Sequence, residues 1–162
     1  MAESGDGSGS PATYEVVRQA KVMAAPDAIF DQLEDFHRWP AWSPWESIDP
    51  DMVRTYEGQG LGVGAAYGWK GNRKAGEGRM EVIESHRPSS IRIALTFVKP
   101  FKSKNTIDFS LVREGDATLV TWTMTGPKTL MTRVMGIFTS MDKLVGPDFE
   151  KGLAQLKAVV EA

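Results

Sequence analysis

The chain has 162 residues, 41% of them hydrophobic and 25% charged, a balance that fits one folded domain rather than a disordered polymer. Lys and Arg number 19 against 21 Asp and Glu, a net charge of -2 that argues against nucleic acid as a partner and against a surface built for anionic membranes. There is no cysteine, so disulfides, thiolate metal sites and cysteine nucleophiles are excluded, and no apolar run approaches the roughly 20 residues of a stable membrane insertion.

The first 12 residues, MAESGDGSGSPA, have neither the basic start nor the apolar core of a signal peptide. Their Gly, Ser and acidic content predicts a disordered tail ahead of a domain over 13–162, and the whole reads as a soluble cytoplasmic protein. Tyr14 to Met23 is the first strand, with its inward face left open because Val22 and Met23 cannot both point inward. Ala25-Pro26-Asp27 stops it, and Pro26 suits the first turn of a short helix over Ala28 to Asp35, with Ile29, Phe30 and Leu33 on one face. A second short helix is predicted over Phe36 to Trp42. Strands follow at Met52 to Glu57, Gly64 to Lys70, Gly76 to Ser85, Ile91 to Val98, Lys104 to Arg113 and Thr118 to Thr125, separated by glycine, proline and acidic turns. Thr129 is a candidate cap for what comes next.

From Leu130 to Val160 apolar residues recur at helical spacing, which predicts one long amphipathic helix or two nearly collinear ones. A bend is expected at Gly146-Pro147, since proline removes a backbone hydrogen bond and crowds the preceding turn. It would divide a methionine-rich lid, Leu130 to Val145, from a packed half anchored by Phe149, Leu153 and Leu156. One long helix after a large antiparallel sheet buries both apolar faces only if the sheet curves around it. Such a wrap leaves room for a cavity.

This order resembles the helix-grip fold of the START-like (SRPBCC) superfamily, and within it the polyketide cyclase/dehydrase-like proteins. The similarity rests on Ala25-Pro26 with Ile29-Phe30, on Asp35, Trp39 and Trp42-Ser43-Pro44, and on the glycine-punctuated hairpin Tyr56-Glu57-Gly58, Gly62-Val63-Gly64, Trp69-Lys70-Gly71 and Gly76-Glu77-Gly78. Thr121-Trp122 and Gly146-Pro147-Asp148-Phe149-Glu150-Lys151-Gly152-Leu153 extend it to the C-terminus, over about residues 14 to 161. The resemblance implies an α+β helix-grip domain: a curved antiparallel sheet of about seven strands around a long C-terminal helix, with two short helices after the first strand. It also implies a deep apolar cavity between sheet and helix. The superfamily holds carriers, cyclases and regulators, and fold does not choose among them.

Alternation turns Tyr67, Trp69, Met80, Phe97, Trp122 and Met124 toward the helix, which offers Met131, Met135, Phe138 and Met141. Rings with a polar tip and adaptable methionines suit a ligand pocket, although the same residues also serve as plain core. Trp39, Trp42 and Trp45 fall within seven residues stiffened by Pro40 and Pro44. Trp39 reads as a pin for the short helices; Trp42 and Trp45 are left open between pin and pocket mouth, with Trp42 carried among the candidate ligand contacts.

Nothing in the sequence forms a catalytic constellation. His37 and His86 have no partners at metal-ligand spacing, so neither metal nor cofactor is expected. Ser43 and Ser47 near Glu46 and Asp49 lack a histidine and a nucleophile elbow, and Ser43 reads as a turn residue. Three functions stay in play. They are binding of a small apolar or aromatic molecule under the helix, a cyclase or dehydratase acting by shaping its substrate, and a regulatory module with a protein partner. A polar group beside a Tyr or Ser hydroxyl in the pocket would favour chemistry. A wholly apolar pocket would favour carriage, and a filled interior with an exposed apolar patch would favour a partner.

Overall fold

A computed structural model describes residues 13–127 and 141–162. Seven strands form a single antiparallel sheet: β1 (Thr13–Val22), β2 (Val53–Glu57), β3 (Ala66–Lys70), β4 (Glu77–His86), β5 (Ser90–Lys99), β6 (Ser103–Glu114) and β7 (Ala117–Pro127). Their order is β1-β7-β6-β5-β4-β3-β2, so β2 to β7 run as a meander and β1 closes on the last strand, Thr13 facing Pro127 and Val22 facing Thr118. The two strands adjacent in sequence at the start, β1 and β2, therefore lie on opposite edges. At about 4.8 Å per strand those edges are roughly 29 Å apart along the sheet. The connection between them carries an α-helix, α1 (Pro26–Leu33), and a 3₁₀ helix, Phe36–Ala41.

Strands β4 to β7 each bury one face, whereas β2 at the edge buries none of its residues. Val120, Trp122 and Met124 of β7, Ile107, Phe109 and Leu111 of β6 and Ile91, Ile93 and Leu95 of β5 are all buried, as the alternation predicts. On β1 the buried residues are Tyr14, Val16 and Val22, while Met23 is 57% exposed, which settles the face of the first strand. β4 shifts register between Val82 and Glu84, leaving Ile83 exposed and keeping Val82 inside. The outer face carries ion pairs such as Arg92 with Asp108 and Glu84.

α1 buries Ile29, Phe30 and Leu33. It is held from the β4–β5 turn by Arg87, which reaches Asp27 at 2.7 Å, Glu34 at 2.8 Å and Asp31, and lies 4.7 Å from the Phe30 ring centre. The second short helix is 3₁₀ rather than α because Pro40 lies inside it; Asp35 caps it by accepting from the His37 N–H.

The C-terminal helix, α2, is described over Met141–Glu161 and remains helical on both sides of Pro147. Pro147 sits on the exposed side, so its lost hydrogen bond faces water. Met141, Gly146, Phe149, Gly152, Leu153 and Leu156 form the buried stripe. Two of its glycines are close approaches. A Cβ on Gly152 would lie 2.9 Å from the Trp122 ring and 3.0 Å from Pro44; one on Gly146 would lie 2.1 Å from the Arg18 guanidinium. Arg18 crosses the helix over that bare backbone, donating to Asp142 at 2.7 and 3.0 Å and to Glu150 at 2.8 Å. The tail 1–12, the candidate cap Thr129 and the first part of the expected lid, with Met131, Met135 and Phe138, lie outside the described residues.

Candidate functional site

Between the concave face of the sheet and α2 lies a cavity of about 210 Å³. Most of its wall is apolar. β3, β4 and β5 contribute Tyr67, Trp69, Met80 and Phe97, β7 contributes Met124, and the first turn of α2 contributes Met141. Six of the sequence candidates thus meet around one space. Trp42 and Trp122 do not reach it: both are fully buried behind the wall, Trp42 edge-on to Phe109 and Trp122, and Trp122 stacked on Phe149 at 4.1 Å. The Trp122 indole N–H has no hydrogen-bond partner among the described residues. Trp39 ties the short helices together, donating to Leu33 O at 3.0 Å, and it also lines the cavity. Trp45 lines the space too, edge-on to Trp122 and Phe149.

One end of the cavity is polar, and it comes from the crossover between the sheet edges. After the 3₁₀ helix the chain makes a turn in which the Glu46 N–H points at Ser43 O, 3.4 Å away, and both residues line the cavity. Glu46 Oε2 accepts from the Tyr67 hydroxyl at 2.9 Å, and Oε1 accepts from Arg54 Nε at 2.7 Å. Arg54 also donates from Nη2 to the Glu46 carbonyl, at 2.7 Å, so it ties both the side chain and the backbone of the turn to β2. The Glu46 hydrogen bond raises the Arg54 guanidinium above its ordinary value. Burial, and after it the Glu46 carboxylate, pushes the Tyr67 phenol well above the usual tyrosine range, so Tyr67 stays a neutral donor to Glu46. Ser43 is 7% exposed and its hydroxyl makes no hydrogen bond among the described residues.

Residue pattern names Glu46 only as a neighbour of Ser43 and Ser47 and gives it no role of its own. It lies in a loop with no periodicity, and its partner Tyr67 is 21 positions away. The available signal is local: an acid directly after Trp45, in a segment of three indoles that has to be buried. His37 lies apart from the cavity, 3.0 Å from Asp35 and stacked on Tyr56 at 4.0 Å. No group of three or more metal-ligating side chains occurs among the described residues, and none of their helices is long and apolar enough to cross a membrane.

Solved structures share this architecture at low sequence identity, a likeness of fold alone. Protein CV1439 from Chromobacterium violaceum aligns at 13% identity and TM-score 0.66, covering 91% of this chain and 97% of that one. Ginseng major latex-like protein 151 from Panax ginseng aligns at 13% identity and TM-score 0.64, covering 90% and 96%. DynU16, a putative protein in the dynemicin biosynthetic locus, aligns at 15% identity and TM-score 0.63; 91% of this chain matches 47% of that one. No curated protein matches the chain by sequence. A family model does, over residues 13–161, and with the helix-grip fold in place the chain belongs to the polyketide cyclase / dehydrase and lipid transport family.

Proposed function

We propose that this protein binds a small, largely apolar molecule in the cavity beneath α2. The observation that carries the reading is an apolar wall of about 210 Å³ enclosed by the sheet and the helix, with one polar end. An engineered apolar cavity of about 150 Å³ holds benzene, so the space suits one or two rings. An environment-sensitive apolar dye should bind with about 1:1 stoichiometry and quench tryptophan emission, since Trp39, Trp45 and Trp69 face the space. Native mass spectrometry of the purified protein should reveal a co-purified small molecule. Absence of dye binding would turn the reading toward a protein-interaction module.

A second reading is catalysis of the cyclase or dehydratase type. It is favoured by Glu46 hydrogen-bonded to the Tyr67 hydroxyl, because a carboxylate next to a phenol inside an apolar space is equipment a pure carrier does not need. Incubation with the co-purified molecule separates the two: a carrier returns it unchanged, an enzyme converts it.

A further inference from the structure

We propose that Glu46 decides the chemistry of the ligand's polar end: the cavity accepts head groups that donate a hydrogen bond, such as an alcohol, phenol or amine, and rejects carboxylates. The inference rests on the reading that this cavity is the binding site. It follows from what each polar group has left to offer. The Tyr67 hydroxyl spends its proton on Glu46 Oε2, so toward a ligand its oxygen can only accept. A carboxylate has about four lone-pair directions, and Arg54 and Tyr67 take two of those on Glu46. Ser43 brings a hydroxyl with both roles unspent among the described residues.

Acceptors therefore dominate this end. A ligand hydroxyl gives its proton to Glu46 or to the Tyr67 oxygen and offers its own oxygen to Ser43, so both of its hydrogen-bonding roles find a partner. A ligand carboxylate in the same place has no proton to give and sets a second negative charge beside the first, inside a space too apolar to screen it. Arg54 offsets this only in part: at the Tyr67 phenol its charge acts against that of Glu46 but more weakly. Its Nε and Nη2 are engaged with Glu46, its Nη1 leans on the Met52 carbonyl at 3.5 Å, and it is not among the residues lining the cavity. Lys74 is the one cationic residue among the described lining residues; it is solvent-exposed, so an acid would be drawn to the exposed side rather than to the polar end.

Two ligands of one skeleton test this: 2-naphthylmethanol and 2-naphthoate, titrated calorimetrically at neutral pH into the full-length protein. The alcohol should bind at least about tenfold more tightly, the scale of one hydrogen bond to a charged acceptor. Glu46→Gln, with an unchanged circular dichroism spectrum, should bring the two within about threefold. Should that variant not fold, the ranking on the unmodified protein decides alone. Naphthoate binding as tightly as the alcohol would overturn the head-group assignment and leave the binding site standing. A gap that survives in a folded Glu46→Gln would overturn the role of Glu46. If neither compound binds, the cavity reading itself falls and this proposal with it.

Discussion

Phe97→Ala and Phe109→Ala remove the same atoms from neighbouring inward-facing strands, and the cavity predicts that they will not cost the same. Phe109 is 1% exposed and meets three indoles, edge-on to Trp39 and Trp42 at 6.2 Å and tilted against Trp122 at 5.0 Å. Phe97 is partly buried, faces the cavity and meets one ring, Trp69, at 5.8 Å. A fully packed Phe truncated to Ala loses about 3–5 kcal/mol, which is the expectation for Phe109. Phe97 makes two fewer ring contacts, each worth about 0.5–1.5 kcal/mol, and already lacks neighbours on its open side, so about 1–3 kcal/mol is expected. At about 2–4 °C per kcal/mol for a chain of this length, a gap near 2 kcal/mol separates the two melting temperatures by roughly 4–8 °C. Urea unfolding gives the free energies and calorimetry the midpoints. The apolar dye supplies an independent reading: Phe97→Ala should change its affinity, whereas Phe109→Ala should not while the protein stays folded. Equal losses, with dye affinity unmoved by Phe97→Ala, would show that the ring is ordinary core and refute the cavity.

Gly152→Ala sets a helix-propensity gain of about 1 kcal/mol against overpacking of about 1–3 kcal/mol on the Trp122 ring and Pro44; the expected result is a melting temperature lower by a few degrees, and a rise would contradict the close approach. Asp142 is held below its ordinary value of 3.8 by its hydrogen bonds to Arg18, so the stability it adds is full above that pH and drains away as pH falls further. Asp142→Asn should therefore flatten the stability profile below about pH 4, and an unchanged slope there would count against the clamp. All three tyrosines, Tyr14, Tyr56 and Tyr67, are raised above the ordinary value of 10, each chiefly by burial. Absorbance at the phenolate band should show no step near pH 10 in the folded protein, and stability should fall as pH rises past 10, because the unfolded chain releases those protons first. A normal phenolate step from Tyr14 or Tyr67 without unfolding would refute the burial of those two hydroxyls.

The sheet was legible because each strand from β5 to β7 buries one face and solvates the other, so Ile107, Phe109 and Leu111 announce their side by period alone. β1 was not, because Lys21, Val22 and Met23 end the strand without a pattern; what places Val22 inside is its pairing opposite Thr118 on the last strand. Residue type brought Tyr67, Trp69, Met80, Phe97, Met124 and Met141 onto one candidate surface, and all six touch the cavity. It cannot tell a ring that lines a space from one packed behind the lining, which is the position of Trp122: its depth is set by Phe149 stacked on it and by Gly152, which lets the helix backbone come close. Glu46 was the harder case. It is placed by one hydrogen bond from Tyr67 and two from Arg54, and loops have no period to read.

The long crossover from one edge of the sheet to the other has a consequence for how this protein can change. The walls of the cavity are distributed over strands and helix throughout the chain, whereas Ser43, Glu46 and Arg54 sit within a dozen consecutive residues. The segment also supplies Trp45, Ile48 and Met52 to the wall, but the carboxylate and its guanidinium partner come from it alone. Substitutions at Ser43, Glu46 and Arg54 alone change the polar end and leave the Trp45 contact with Trp122 of β7 in place, while a substitution at Met80 or Met124 alters the dimensions of the space and leaves its charge alone. One scaffold of this design can have its polarity altered at three positions of a single loop and strand while the sheet that shapes the space is kept.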